Sequence, residues 1–191
     1  EYGEERAQAI FESLLVRNKA SIRVTDLSRK EEIKALLEAS DSFLSPSGLV
    51  KEQGHFAGHD LFVDGVITIQ DESSQLVALT LDLQGDEQVL DACAAPGGKT
   101  AHIASYLTTG QVTALDLYDH KLDLIQENAQ RLGVADRIQT QKLDARKVHE
   151  FFGQDSFDKI LVDAPCSGIG LLRRKPDIKY NKETADFASL Q

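Results

Sequence analysis

The chain has 191 residues, of which 41% are apolar, and its 21 basic and 31 acidic residues give a formal net charge of −10. This composition is typical of a soluble globular protein with one domain, or one domain and a small companion. No apolar run approaches the ~18 residues of a membrane span and no signal-peptide pattern opens the chain, so no membrane partner is expected. The acidic balance argues against a broad electrostatic grip on nucleic acid.

The cysteine pattern indicates the redox environment of the protein, and the missing methionine indicates whether the sequence is complete. Cys93 and Cys166 lie far apart and form no CxxC pair, so the sequence predicts neither a zinc site nor a disulfide framework. We therefore expect no metal and a reducing cytoplasmic location. We also expect a monomer. Because methionine is absent even at position 1, we interpret the sequence as a fragment of a longer protein. Residues 183–191 have the pattern of a helix cut partway, so we expect a truncated carboxyl end.

The first third, residues 1–64, predicts a small α+β accessory domain. Its periodicities and turn signals predict two helices, at 3–18 and from Ser28, and three strands, at 21–26, 49–52 and 61–63. Ser28 and Glu31 have the spacing of a capping box, which indicates that the second helix begins at Ser28. This part shows no catalytic constellation. His55 and His59 are interpreted as solvated side chains rather than metal ligands.

From residue 65 onward the pattern becomes a strand–helix alternation, which we assign to a second domain at 65–191. After a strand at 65–70 and a helix from Asp71, the predicted strands are 88–92, 111–116, 138–143 and 157–162, and the helices between them are 99–107, 119–132 and 146–152. This alternation predicts the α/β class, a Rossmann-like parallel sheet with helices on both faces. Ligands of such sheets bind at the carboxyl ends of the strands.

The stretch Val89-Leu-Asp-Ala-Cys-Ala-Ala-Pro-Gly-Gly-Lys-Thr100 has the strand–glycine–helix layout of a nucleotide-binding corner. Its end, Gly98-Lys99-Thr100, also resembles a P-loop, which would imply an ATPase. That motif requires glycine where this chain has Cys93, and no Gly-x-Gly-x-x-Gly is present. The stretch favours a ligand without a pyrophosphate, such as an adenosyl group carrying a sulfonium, although a plain βα loop remains an alternative.

Three predicted strands are followed by an aspartate at the edge where a ligand would lie. Asp116 would hold ribose hydroxyls, Asp144 would accept from an adenine amino group, and Asp163 ends the fourth strand. A helix cap is the alternative for each, and above all for Asp144. If the first and fourth strands of the sheet are neighbours, Cys93 and Cys166 share one rim of the pocket.

The last loop, Asp163-Ala-Pro-Cys-Ser-Gly168, carries the second cysteine. We interpret the Cys166 thiol as functional, against the alternative of a small packed hydrophobe. A basic cluster follows, formed by Arg173, Arg174, Lys175 and Lys179. It is interpreted either as a phosphate-contacting patch or as an ordinary solvated charge run.

The strings Asp91–Thr100 and Asp163–Gly168, together with Gln70-Asp-Glu-Ser-Ser-Gln75, resemble motifs of the S-adenosylmethionine-dependent RNA cytosine-C5 methyltransferases. The chain is most similar to the bacterial members of this family that act on 16S ribosomal RNA. The resemblance implies a class I methyltransferase core, S-adenosyl-L-methionine as cofactor and 16S ribosomal RNA as partner.

The resemblance also implies roles for individual residues. The implied cofactor-binding residues are Cys93, Ala94, Ala95, Pro96, Gly97, Gly98, Lys99, Asp116, Asp144 and Asp163, and the implied catalytic residues are Asp163, which steadies the base edge, and Cys166, which serves product release. The family's nucleophile is another cysteine, in a Thr-Cys motif expected downstream of Gln191. The amino-terminal helical RNA-binding domain of ribosomal members is also missing. We therefore expect this chain to be inactive alone. The alternatives are a silent module that binds adenosylmethionine or RNA, and a P-loop-like ATPase.

Overall fold

The computed structural model describes residues 3–14, 16, 19–166, 168, 171, 177 and 180. The chain divides into two compact units, Ala20–Ala164 and a terminal unit made of Glu1–Lys19 and Pro165–Gln191. The terminal unit contains helix α1 (Glu4–Ser13), which confirms the first predicted helix. None of the helices in the described ranges has both the length and the apolar character that a membrane crossing requires.

The first sheet of the larger unit is antiparallel. Its strands, in the spatial order β2-β3-β1-β4, are β1 (Ala20–Val24), β2 (Ser40–Asp41), β3 (Gly48–Lys51) and β4 (Ile67–Ile69). Helices α2 (Lys30–Leu37) and α3 (Asp60–Val63) accompany it. Its core is built from Ile22, Val24, Ile33, Leu37, Leu49, Phe56 and Ile67. Strand β4 pairs with β1, so this sheet includes residues beyond position 64; the domain limits at 64 and 65 stay a prediction.

Two local predictions in this region are wrong. Residues 61–63 are helical rather than extended, because His59 caps α3: its Nδ1 accepts a hydrogen bond from the Leu61 N–H at 3.1 Å. A short apolar run does not distinguish a strand from a helix by itself. The cap before α2 is Asp26 rather than Ser28, since Asp26 Oδ1 accepts from the Ser28 N–H at 2.9 Å and opens a 3₁₀ turn ahead of the helix.

The second sheet confirms the predicted parallel alternation. Its strands, in the order β7-β6-β5-β8, are β5 (Gln88–Asp91), β6 (Gln111–Asp116), β7 (Ile138–Lys142) and β8 (Lys159–Leu161). The helices around it are α4 (Glu72–Thr80), α5 (Gly98–Ala104), α6 (Asp119–Arg131) and α7 (Val148–Phe151). Strand β5 lies between β6 and β8, so the first and fourth strands of the repeat are neighbours, as expected.

The residue alternation along the strands explains why helices cover both faces. Val89 of β5 packs into the core formed with α5 and α6, which includes Ile103 and Ile125. Leu90, the next residue, packs into a separate cluster with Leu115 on the opposite face, against which the α7 region lies. Successive strand residues point to opposite faces, so both faces of β5 are apolar and both need cover.

Polar side chains from α4 and α6 join the two sheets. Arg131 of α6 donates through Nη1 to the Phe62 carbonyl at 2.8 Å and through Nη2 to Thr68 Oγ1 at 3.2 Å. Gln75 of α4 is fully buried, and its Nε2 donates to the Gln70 carbonyl at 3.0 Å and to the Ile22 carbonyl at 3.3 Å. These bonds explain why α4 buries a glutamine: it satisfies backbone carbonyls of the first sheet.

A buried histidine of α5 makes stability depend on pH. The His102 side chain is 1% exposed, and its pKa falls to about 3 because burial disfavours the charged ring, with the Arg23 charge adding to the effect. In the unfolded chain the ring titrates near about 6.5. The unfolded state therefore binds a proton that the folded state excludes, so this stabilisation is present above pH ~6.5 and is lost as the pH falls toward 3.

We expect the free energy of unfolding to fall by up to about 1.4 kcal/mol per pH unit from this residue below pH ~6. This contribution is measured by urea unfolding of the wild type and of His102→Gln at pH 7, 6 and 5. Subtracting the two free energies of unfolding removes the contribution of carboxylates that titrate in the same range. The difference should shrink toward pH 5. A difference that stays constant across this range would show that His102 is not buried as the neutral ring.

Candidate functional site

Carboxylates collect at the carboxyl edge of the parallel sheet. Asp91 and Asp116 end β5 and β6, and Asp163 follows β8 by two residues. All three lie close enough to Cys93 that their charges raise the pKa of its thiol, although burial is the largest cause. The adjacent ends of β6, β5 and β8 therefore form an acidic edge around a partly buried thiol. A thiolate is disfavoured in such surroundings.

The corner between β5 and α5 is held by its own backbone amides. The Ala92 N–H donates to the Leu161 carbonyl and the Ala94 N–H to the Leu115 carbonyl, both at 2.9 Å, which ties the loop to β8 and β6. The Gly97 N–H donates to the Ala94 carbonyl at 2.8 Å. A P-loop needs such amides free to point at phosphate oxygens. Here they are committed within the protein, which argues against the ATPase alternative.

The two glycines of the corner have different reasons to be glycine. Gly97 has φ of 95°, and a Cβ there would lie 3.0 Å from Ile125 Cα, so a side chain meets both strain and backbone. Gly98 is the first residue of α5, and a Cβ there would have no atom within 4 Å. The backbone thus requires glycine only at position 97, while Gly98 leaves open space at the corner.

We expect alanine at these two positions to have different effects on stability. Gly97→Ala should lower the free energy of unfolding by about 1–2 kcal/mol or more, because the left-handed conformation alone costs that much for an L-residue. Gly98→Ala should leave stability unchanged or raise it slightly, because alanine favours the helix. Urea unfolding of both variants measures this. Equal stability losses at the two positions would contradict the distinction.

Asp116 presents one free oxygen at this edge. Its Oδ1 accepts from the backbone N–H groups of Leu117 at 2.7 Å and Tyr118 at 3.3 Å, which fixes the carboxylate on the turn after β6. Lys121 Nζ lies 3.8 Å from the same oxygen. Within the described part of the chain, Oδ2 has no hydrogen-bond partner, so it is oriented and available to accept from a ligand.

Asp163 forms an ion pair that the sequence analysis did not foresee. Lys99 Nζ lies 2.5 Å from Asp163 Oδ2, joining the first turn of α5 to the loop after β8. Both side chains were expected at the site, but their contact depends on β8 lying beside β5. The pair is more than a quarter exposed on each side, so its effect is to orient the two groups rather than to stabilise the fold strongly.

Asp144 is a helix cap, the alternative that the sequence left open for it. Its Oδ1 accepts from the Arg146 N–H at 3.0 Å, and Arg146 Nη2 lies 2.6 Å from Oδ2. The hydrogen bonds from Arg146 hold the pKa of this carboxyl at about 2, so it is ionised at neutral pH. It lies after the outer strand β7, two strands away from β5.

The remaining predicted residues lie outside this edge or outside the described residues. Cys166 is exposed, and it belongs to the terminal unit; the expected rim shared by Cys93 and Cys166 therefore stays a prediction. The basic cluster Arg173, Arg174, Lys175 and Lys179 falls outside the described residues. Among the described residues no group of three or more metal-ligating side chains is found.

The sequence assigned no individual role to three residues that shape the corner, namely Asp91, Thr100 and Asn128. Asp91 is 1% exposed, and burial raises the pKa of its carboxyl, while a hydrogen bond from Thr100 Oγ1 to Oδ2 at 2.7 Å opposes this. Asp91 Oδ1 is buried and has no hydrogen-bond partner among the described residues. Asn128 Nδ2 donates to the Pro96 carbonyl at 2.7 Å, next to the cis Ala95–Pro96 peptide. A signal existed for Asp91, since it ends its strand as Asp116 does.

Solved structures show the class of fold. The crystal structure of a methyltransferase homolog protein from Pyrococcus horikoshii superposes with a TM-score of 0.77 at 31% identity, over 92% of this chain and 60% of that one. NSun6 from the same organism, crystallised with SFG, shares the fold with a TM-score of 0.78 at 21% identity, over 88% of this chain and 68% of that one. The chain has the Rossmann-like methyltransferase fold, as the sequence predicted.

Sequence comparisons show the family. Residues 78–191 match the family described as 16S rRNA methyltransferase RsmB/F. The chain is 46% identical over 196 residues to a probable ribosomal RNA small subunit methyltransferase B of Bacillus subtilis, covering 99% of this chain and 44% of the relative. A ribosomal RNA small subunit methyltransferase B of Serratia proteamaculans is 43% identical over 129 residues, covering 68% and 30%. The chain belongs to this family of 16S rRNA methyltransferases, and it spans less than half the length of these relatives.

The residues of the edge fit S-adenosylmethionine, the cofactor of such methyltransferases. Asp116 Oδ2 is an acceptor without a donor among the described residues, and the edge around Cys93 is acidic. Acceptors of this kind suit ribose hydroxyls, and negative charge suits a sulfonium cation. A polyphosphate would face three carboxylates around Cys93 and would be repelled.

Proposed function

We propose that this chain is the S-adenosylmethionine-binding part of a methyltransferase that modifies C5 of a cytosine in 16S ribosomal RNA. The observation that carries the proposal is the acidic edge formed by Asp91, Asp116 and Asp163 around Cys93. This edge lies inside the segment 78–191 that the family matches. The acidic edge supports the proposed cofactor, and membership of the family supports the proposed substrate.

A task at the cofactor is proposed for Asp116, for the corner from Cys93 to Lys99 and for Asp144. Asp116 accepts from the ribose hydroxyls through Oδ2, because Oδ1 is already held by the turn. The corner from Cys93 to Lys99 lines the amino-acid end of the cofactor, with open space at Gly98. Asp144 accepts from the adenine amino group; Arg146 keeps it ionised, and a carboxylate has acceptor positions to spare.

The chemistry needs a thiol besides the cofactor. When bound, S-adenosylmethionine supplies an electrophilic methyl group. C5 of cytosine becomes nucleophilic only after a thiolate has added to C6. We propose that Asp163, oriented by Lys99, steadies the base edge and that Cys166 serves product release. Cys93 is unsuited to attack, because burial and three carboxylates raise the pKa of its thiol.

The location, oligomeric state and domain limits of the protein are also proposals. A methyltransferase of 16S ribosomal RNA works in the cytoplasm, where that RNA is found, and we propose a monomer. We propose that residues 1–64 form an accessory domain that faces RNA, with residues 65–191 as the methyltransferase domain. Negative net charge repels phosphate, so RNA contact requires a local basic surface, for which the cluster from Arg173 to Lys179 remains the candidate.

Calorimetric titration tests the cofactor part of the proposal. S-adenosylmethionine and S-adenosylhomocysteine should each bind with one site per chain, while ATP should not bind, because the three carboxylates around Cys93 would repel a triphosphate. Binding of ATP in preference to S-adenosylmethionine would revive the ATPase alternative. Absence of binding by both adenosyl compounds would overturn the proposal.

A chimera tests the substrate part. The aligned segment of the Bacillus subtilis relative is replaced by this chain, and the product is assayed for methylation of 16S ribosomal RNA. We expect cytosine-C5 methylation by the chimera and its loss in the chimera that carries Asp163→Ala. A chimera that binds the cofactor but modifies another RNA, or another base, would show that the substrate is wrong while the cofactor site is right.

A further inference from the structure

A cavity of about 180 Å³ lies between the first sheet and the helices of the second. Its lining includes Arg23 and Arg137, the hydroxyl residues Thr25 and Ser105, and the apolar residues Leu132 and Val134. Arg137 directly precedes β7, so the cavity lies toward the amino ends of the parallel strands. It is therefore separate from the acidic edge, which lies at their carboxyl ends.

Arg23 is a buried cation that has no counterion within the described part of the chain. It is 2% exposed, and its only hydrogen bond within the described ranges runs from Nε to Gln70 Oε1 at 2.8 Å. Burial lowers its pKa to about 10, Tyr106 opposes this and Arg131 adds to it, and no carboxylate contributes. The guanidinium stays charged at neutral pH, and a buried charge without a counterion is costly.

Arg137 brings a second guanidinium to the same cavity. Its Nη1 donates to the Ala104 carbonyl at 3.3 Å, and its Nε lies 3.7 Å from Asp136 Oδ2, whose side chain is 72% exposed. Nη2 has no partner among the described residues. Among the residues that the structure describes, no aspartate or glutamate lines the cavity.

The hydroxyl groups of the lining already donate hydrogen bonds to backbone carbonyls. Thr25 Oγ1 donates toward the carbonyls of Gly65 at 2.9 Å and Val66 at 3.0 Å. Ser105 Oγ donates to the His102 carbonyl at 2.6 Å. The uncommitted donors of the lining side chains are therefore the two guanidinium groups, and both are cationic.

We propose that this cavity is a binding site for a small oxyanion of the phosphate class, held by Arg23 and Arg137. The planar guanidinium fork matches the oxygens of phosphate and binds them by charge-assisted hydrogen bonds. The anion supplies the counterion that the buried Arg23 lacks. Its source is either free phosphate or a phosphate group of RNA.

Thermal unfolding of the 191-residue chain in phosphate and in chloride at equal ionic strength tests the site. At a phosphate concentration ten times Kd, Tm should rise by roughly 4 °C over the chloride value. Arg137→Gln should weaken phosphate binding at least tenfold and remove most of this rise. The matched control is Arg29→Gln, which removes an arginine that lies before α2 and is paired with Glu32. Its Tm should rise in phosphate as much as that of the wild type.

A second variant covers the case in which Arg137→Gln fails to fold. Arg23→Lys keeps a cation but loses the fork, and it should also reduce the phosphate response. The proposal would be overturned if the wild type had the same Tm in phosphate and in chloride. It would also be overturned if both cavity variants showed the same phosphate-dependent rise in Tm as the wild type.

A short RNA oligonucleotide distinguishes the two sources of the anion. If the oligonucleotide raises Tm in the wild type but not in Arg137→Gln, the phosphate group belongs to RNA. If only inorganic phosphate does so, the ligand is the free ion. Both results support an oxyanion site, whereas a rise of equal size in the variant would contradict it.

Discussion

Removing the carboxylate of Asp116 should weaken the binding of S-adenosylmethionine tenfold or more. A carboxylate that accepts from a ribose hydroxyl makes a charge-assisted hydrogen bond worth about 1.5–3 kcal/mol, and about 1.4 kcal/mol corresponds to a factor of ten in Kd. Calorimetric titration of Asp116→Ala and of Asp116→Asn measures the loss.

The asparagine variant separates binding from folding. Asp116 Oδ1 holds the Leu117 and Tyr118 N–H groups, and an asparagine oxygen can keep this turn while its amide nitrogen cannot accept from ribose. Asp116→Asn should therefore melt like the wild type and still lose affinity. Asp123→Ala, an exposed aspartate on the neighbouring α6, is the control and should bind normally. Unchanged affinity in Asp116→Asn would place the ribose elsewhere.

The 191-residue chain should bind the cofactor and yet transfer no methyl group to deproteinised 16S ribosomal RNA. Catalysis needs a thiolate that adds to C6, and the chain has two cysteines. The pKa of Cys93 is raised by burial and by the acidic edge, so its thiolate is scarce at neutral pH. Cys166 is exposed, but the family resemblance assigns it to product release.

A radiolabelled methyl assay decides this prediction, with calorimetry showing that the cofactor is bound. The chimera with the Bacillus subtilis relative serves as the positive control. Incorporation by the chain alone that persists in Cys93→Ser and disappears in Cys166→Ser would make Cys166 the nucleophile, against our assignment. Cofactor binding with no incorporation is the expected result, and it agrees equally with a silent binding module. Activity of the chimera separates these two interpretations.

Local sequence patterns were sufficient for the elements that position the site. The predicted strand at 111–116 has the observed bounds, and the other parallel strands agree within two residues at each end. These strands are short, contain β-branched residues and are bounded by turn residues, so neighbouring residues carry the signal. The glycine corner was evident for the same reason, since its chemistry is contained in consecutive residues from Asp91 to Thr100.

Features that depend on distant partners were not evident in advance. The distinction between Gly97 and Gly98 depends on Ile125, which approaches from another helix. The Lys99–Asp163 pair joins residues 64 positions apart.

The sequence by itself therefore determined the alternation of strands and helices, the corner and the aspartates at the strand ends, because periodicity and short motifs act over a few residues. Only the tertiary structure decided which of those aspartates surround Cys93, that Asp144 is engaged by Arg146, and that Arg23 is buried without a counterion beside Arg137. The first of these follows from strand order and the last from packing between the two sheets, whereas the Asp144–Arg146 contact is local and depends on the turn after β7. Such packing brings together charges that are remote in the chain.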